Sequence, residues 1–192
     1  MNGDGVVNDL DKTPLFWSGS PLIHYGFNLE ASWKNFDFYA LFQGSALYTV
    51  QFDEVYAKML CFKGGNTPEY FYDRWHLSDP YDSDSEWIPG EWPAIRLEQD
   101  MGSFYTRDSQ IWRKNASYMR LKTIEIGYTF SPRLMHKLGI GSLRIYANGN
   151  NLFTICDPFV KAFDPEKIEG DYSAGLNYPL NKSFNFGLTL NF

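Results

Sequence analysis

Residues Ser183–Phe192 read SFNFGLTLNF. Phe184, Phe186, Leu188, Leu190 and Phe192 fall on one side of an extended chain, and Ser183, Asn185, Gly187, Thr189 and Asn191 on the other. Such alternation marks a β-strand, because successive side chains of a strand point to opposite faces. A strand that crosses a bilayer needs about 9–11 residues, and this stretch supplies them. One face is wholly apolar and the other small or polar, the pattern of a strand between lipid and a wet interior.

Upstream the pattern recurs. Tyr25, Phe27, Leu29, Ala31 and Trp33 oppose Gly26, Asn28, Glu30 and Ser32. Lys34-Asn35 then predicts a tight turn, and Phe36, Phe38, Ala40 and Phe42 continue the apolar face. Their opposite face carries Asp37, Tyr39, Leu41, Gln43 and Ser45, so the alternation there is imperfect. From Tyr118 to Phe130 the lower half is clean, with Ile124, Ile126, Tyr128 and Phe130 against Thr123, Glu125, Gly127 and Thr129. In its upper half Arg120 and Lys122 fall on the apolar side. Either a β-bulge resets the parity or that end lies beyond the hydrocarbon. After Ser131–Gly141, Leu143, Ile145 and Ala147 oppose Arg144, Tyr146 and Asn148. Five strands are expected in all.

Composition agrees. Of 192 residues, 18% are aromatic, which favours a pleated, half-buried surface. With 44% hydrophobic and 21% charged residues the chain is not disordered. A net charge of −6 argues against nucleic-acid binding. Two cysteines make no disulfide framework. No run reaches the roughly 18 apolar residues of a membrane helix. The opening MNGDGVVNDLD is polar and acidic, so no signal peptide is expected there.

The connections are unequal. Lys34-Asn35 and Ser131–Gly141 are short, whereas 49–115 and Ile155–Asn181 are long and rich in Gly, Pro, Asp and aromatics. Transmembrane barrels pair short periplasmic turns with long external loops. The expected organisation is a single unit over 1–192, with an N-terminal external loop at 1–20, a long external loop at 49–115 and a terminal barrel strand at 183–192. Five strands cannot close a barrel, which takes at least 8. The expected fold is therefore all-β: antiparallel transmembrane β-barrel strands, a fragment of a larger barrel with long external loops.

Six blocks resemble one family in order. They are NGDGVVNDLDK, P-x-x-x-YG at Pro21–Gly26, WKNFDFYALFQG at Trp33–Gly44, NASYMRLKTIEIGYTF at Asn115–Phe130, LRIYANGNNLFTI at Leu143–Ile155 and the final FNFGLTLNF. Together they resemble the C-terminal portion of the SusC/RagA-type TonB-linked outer-membrane transporters; 50–110 is the looser region. The resemblance implies a plugged barrel of the 22-stranded class in a bacterial outer membrane. It implies TonB-driven import of bulky nutrients, oligosaccharides or peptides, and no enzymatic chemistry. The implied partners are a SusD-like lipoprotein lid, the TonB complex (through a plug that this chain lacks), the barrel-assembly machinery and the lipid bilayer. In that class the terminal aromatic strand is read by the insertion machinery, so Phe192 is expected to be an assembly signal.

Several side-chain groups invite functional readings. Asn2, Asp4, Val6 (through its carbonyl), Asn8 and Asp11 match positions 3, 5, 7, 9 and 12 of a calcium loop, with Gly5 at the sharp turn. Position 1 falls before Met1, and a plain Asx/Gly turn explains the same residues. No cofactor is certain from these residues, and Ca²⁺ is the one they admit. Asp37, Gln43, Glu125, Arg144, Asn148 and Asn150 are expected to face the lumen and line the solute path, or simply to make a polar interior. The loop aromatics Trp75, Trp87 and Trp92, with Tyr70, Phe71 and Tyr72, suit stacking on sugar rings or packing on the barrel rim. The acidic loop Asp79–Glu86 holds a cation or is plainly solvated. Cys61 and Cys156 fall in or near the long connections, where a disulfide is admissible. His24, His76 and His136 are isolated, and no hydrolase, Walker or HExxH motif occurs. The rival reading is a soluble antiparallel β-domain that binds carbohydrate, with or without Ca²⁺. A sandwich buries one face against a second sheet, and a barrel does not.

Overall fold

The computed structural model describes residues 3–6, 8–14, 17–52, 69–95, 110–167 and 178–192. Its strands are β1 (Ile23–Trp33), β2 (Phe36–Ala46), β3 (Thr49–Gln51), β4 (His76–Leu77), β5 (Trp87–Ile88), β6 (Arg113–Asn115), β7 (Tyr118–Thr129), β8 (Ser142–Ile155) and β9 (Ser183–Asn191). Two short helices, α1 (Pro132–Lys137) and α2 (Pro158–Lys161), lie in connections.

The five long strands form one antiparallel sheet in the order β1-β2-β7-β8-β9. Its register carries the apolar face across strand after strand. Phe27 lies opposite Phe42, Leu29 opposite Ala40, Phe38 opposite Ile126, Ile126 opposite Ala147, and Ala147 opposite Phe186. Directly opposed residues share a face, so one face is apolar throughout. It is also uncovered: Phe27, Leu29, Trp33, Ile126, Ile145, Phe184 and Leu188 are exposed, and Phe186 is 84% exposed. Nothing among the described residues packs a second sheet on it, as a soluble sandwich requires.

The parity break at Arg120 and Lys122 is a bulge. Leu41 pairs with Thr123 but Phe42 pairs with Leu121, which leaves Lys122 unpaired. On the other side of β7, Thr123 pairs with Asn150 and Leu121 with Phe153, so Lys122 faces the pair Asn151-Leu152. Asn151 takes a left-handed φ of 54° there. An extra residue shifts every later side chain to the other face. The bulge returns Leu121 and Met119 to the apolar face and turns Arg120 to the polar one. β8 runs further than its expected Leu143–Asn148, because the polar run Asn150-Asn151 masks the alternation that Phe153 and Ile155 resume.

The two short connections lie at one end of the sheet and the two long ones at the other. Lys34 turns β1 into β2 with φ 55°. The 131–141 connector contains α1, with Pro132 at its start, an element the alternation did not announce. At the opposite end β3 and β6 pair with each other and extend the β2–β7 ribbon past a kink at Leu47 (φ 59°). The 17–20 segment joins this extension, since Thr49 N–H donates to the Ser18 carbonyl at 3.1 Å. Thr49–Asn115 is therefore not a bare loop. It contains β3, β6, a 3-10 turn at Glu69–Tyr72 and the small β4–β5 hairpin.

The buried core sits in these connections. Tyr48, Val50, Phe52, Phe71, Trp92, Trp112, Ala116, Tyr118 and Val160 pack together, with Phe159 and Phe163 against them.

Candidate functional site: the polar face and its cap

The polar face of the sheet is a hydrogen-bonded ladder. Arg144 on β8 donates from Nε to Asp37 on β2 at 3.1 Å, and its Nη2 bonds both Asp37 and, at 2.8 Å, Glu125 on β7. Asn148 donates to Glu125 at 3.3 Å and accepts from Asn185 on β9 at 2.8 Å. Four strands are thus stitched on one face by groups that lipid would not tolerate. Asn150 continues the ladder, accepting from Thr123 at 3.1 Å and donating to Ser183 at 3.2 Å. Gly127 makes the Arg144 contact geometrically open, since a Cβ at 127 would collide with the guanidinium and the Asp37 carboxylate.

Of the six residues expected to face the lumen, Asp37, Glu125, Arg144 and Asn148 are brought into direct contact and Asn150 lies beside them. Gln43 shares the face but stands apart, opposite Gly26 and Arg120 and exposed.

A second polar cluster escaped the pattern reading. Arg120 donates to Thr154 at 2.9 Å, to Glu166 at 2.7 Å and to Asp164. Lys122 reaches the other oxygen of Glu166 at 2.6 Å. The Arg120 and Asp164 side chains are each only 4% exposed. Asp164 takes φ 64° and accepts from the Glu166 N–H at 3.1 Å and the Leu180 N–H at 2.7 Å. The broken parity at Arg120 and Lys122 was the available signal. Nothing in the sequence pointed to their carboxylate partners, which are separated from them by all of β8.

The loop aromatics divide. Trp92 is 3% exposed, with its ring 5.0 Å from Phe71 and 5.2 Å from Phe159. Its reading as a sugar-stacking ring is corrected: it is a core residue, and Lys114 lies over its ring at 5.2 Å. Trp75 and Trp87 remain about half exposed. Trp87 opposes Leu77 across the β4–β5 hairpin. The acidic stretch Asp79–Glu86 is the tip of that hairpin. Its Asp79 and Asp82 carboxylates accept from the Tyr81 and Asp84 N–H groups, the work of a turn.

In the N-terminal loop, Gly5 has φ 79°, as a sharp-turn glycine requires. Asp4 accepts from Val6 N–H at 2.7 Å. Asn8 caps a 3-10 turn at Asp9–Asp11 while Asp11 accepts from the Asn8 N–H, a reciprocal capping box. Asp4, Asn8 and Asp11 therefore each make turn or cap bonds, and Asn2 lies outside the described residues. No group of three or more His, Cys, Asp or Glu side chains gathers to hold a metal among the described residues. Cys61 also lies outside them; Cys156 is partly buried, and burial pushes its thiol up from the ordinary value. Burial likewise raises the Tyr48 phenol, which stays a neutral donor to the Pro165 carbonyl at 3.1 Å. Phe192 follows β9 directly and is exposed.

No protein-family profile matches the chain. TonB-dependent receptors P3 and P26 of Formosa agariphila align with 100% of it at 26% and 28% identity. The chain spans only 18% and 19% of their lengths. Among solved structures, the RagAB peptide importer in its "open-open" state matches 92% of the chain and 18% of the compared chain, with a TM-score of 0.63 and 26% identity. The "closed-closed" state gives 94%, 18%, 0.65 and 26%. The chain is similar to RagA-type TonB-dependent receptors. The family resemblance carried by the six sequence blocks therefore holds along almost the whole chain. The strands are those of an antiparallel transmembrane β-barrel, and the five neighbours present in this RagA-like segment do not close. In barrels of this kind the apolar face of each strand meets lipid and the polar face the interior.

Proposed function

We propose that this RagA-like segment is the C-terminal part of a transporter that imports a bulky nutrient, a peptide or an oligosaccharide, across a bacterial outer membrane at the expense of TonB-delivered energy. The observation that carries this reading is the two-faced sheet: five strands with an uncovered apolar face backed by a continuous polar ladder, in a chain similar throughout to TonB-dependent receptors. The similarity to the RagAB peptide importer supports import, and supports a SusD-like lipoprotein as the partner. The TonB complex would act through a plug outside this segment, and the barrel-assembly machinery would read Phe192. The lumen role falls to Asp37, Glu125, Arg144, Asn148 and Asn150. Sugar stacking, if the nutrient is an oligosaccharide, falls to the exposed Trp75 and Trp87.

The test is genetic. A strain lacking the full-length gene is compared with its parent, and with a strain lacking TonB, on defined peptide and oligosaccharide mixtures. Loss of growth on one mixture in both mutants supports TonB-driven import and names the substrate class. Unchanged growth on every mixture, or recovery of the full protein in the soluble fraction, overturns the reading. The soluble carbohydrate-binding rival is disfavoured by the uncovered apolar face, which water would not tolerate over so many aromatic side chains.

A further inference from the structure

The described parts of the two long connections touch at three levels. Phe52 from the β2–β7 connection packs on Phe159 and Phe163 from the β8–β9 connection, with ring centroids 5.1 and 5.4 Å apart. Trp92 stacks on Phe159. The Tyr48 hydroxyl donates to the Pro165 carbonyl. Within the β8–β9 connection, Asp164 accepts from Glu166 and from Leu180, so one carboxylate ties its outgoing and returning limbs together. That same carboxylate, and Glu166 beside it, bond Arg120 and Lys122 on the polar face of β7.

We propose that the described parts of the two long connections form a single cap that opens as one cooperative unit, and that Arg120 and Lys122 are the post to which it is fastened. The β7 bulge is what makes the post. Without the extra residue, Arg120 would point with Ile124 and Ile126 into lipid. With it, Leu121 takes the lipid side while Arg120 and Lys122 both reach the carboxylates of the cap. The attachment is selective for intact pairs, because a charge left buried without its partner is strongly unfavourable. Because the connections share one aromatic core, neither can lift without exposing the other's half of it.

This inference rests on the barrel reading above, but its test needs no import. In the full receptor, with Cys61 and Cys156 replaced by alanine, a single reporter thiol is placed by Val160→Cys in one connection or Val50→Cys in the other. Both positions are buried in the shared core and the replacements are nearly isosteric. Labelling by a water-soluble maleimide is followed in outer-membrane preparations. Both thiols are expected to react slowly in the otherwise unchanged receptor. With Arg120→Met both should accelerate together, by at least about tenfold. Lys122→Met, which leaves Arg120 in place, should accelerate both by a smaller, shared factor.

Acceleration at Val160→Cys alone would show two independent loops, and no acceleration at either would show that the post fastens nothing. Both results overturn the proposal. If Arg120→Met fails to insert, judged by loss of heat-modifiable migration, the same two outcomes are read from Lys122→Met. A receptor with Arg120 and Lys122 unchanged that is absent from the outer membrane overturns the transport reading instead, so the two failures are distinguishable.

Discussion

The sheet and the cap handle their aromatic residues in opposite ways. In the sheet, Phe27, Phe184 and Phe186 follow strict alternation and stay exposed. In the cap, Phe52, Phe71, Trp92 and Trp112 follow no period and are almost completely buried. A periodic apolar pattern therefore says that a face avoids water, but not what covers it. Here the sheet leaves that role to lipid, while the cap has to exclude water with its own side chains, and does so with rings from segments far apart in sequence. The polar residues mirror the difference. Those of the sheet bond to other strands of the same sheet, as Arg144 does with Asp37 and Glu125, whereas Arg120 and Lys122 bond out of the sheet to the cap.

The comparison is broken most simply by removing lipid. Expressed alone in aqueous buffer, the chain is expected to give no soluble monomer and to require detergent, because its apolar face and sheet edges are uncovered. A monodisperse, cooperatively melting monomer on size-exclusion chromatography would show that the sheet has a covering partner within the chain.

The next largest effect concerns Phe192 in the full receptor. As an assembly signal, its deletion should remove most of the receptor from the outer membrane, measured by immunoblot of membrane fractions. Phe184→Leu, on the same face, should insert normally. As a packing residue alone, Phe192 would contribute only about 1–3 kcal/mol, and both variants would insert alike.

Within the cap, Trp112→Ala should destabilise local structure by about 3–5 kcal/mol, the range for emptying a buried aromatic site. Hydrogen exchange at β3 and β6 amides in the detergent-solubilised receptor checks this. Phe186→Leu on the lipid face is the control, expected within about 0.5 kcal/mol of the parent.

On the polar ladder, Gly127→Ala should cost about 1–3 kcal/mol, because the added methyl group displaces the Arg144–Asp37 pair. Shortened heat resistance of the folded barrel on gels would register it; an unchanged midpoint would mean that the pair shifts aside freely.

The smallest effect is at the N-terminal loop. If it binds Ca²⁺, the ion should protect the full receptor against proteolysis around Asp4–Asp11 by about 1 kcal/mol or less, and Asp4→Ala should abolish that gain. Equal digestion in all four conditions would leave the loop as the capped turn that its hydrogen bonds already make.

The five long strands and most of their shared polar face were legible in the amino-acid sequence, because alternation is a local property and each strand states its own faces. Even the fault at Arg120 and Lys122 was visible as broken parity. Local pattern ends where partners come from elsewhere. Whether a bulge or an emergence from the membrane explained that fault was decided only when Phe42 was found paired with Leu121. The fate of Trp92 depended on Phe71 and Phe159 arriving from other segments, so no reading of its own neighbourhood could tell a surface ring from a core one. The Arg120–Asp164 pair joins residues across the length of β8, and acidic residues in a loop carry no sign of the cation they will meet. The sequence by itself determined which faces of this protein avoid water; the tertiary structure decided what each avoids it with, because burial and ion pairing are made between distant segments and alternation is made within one.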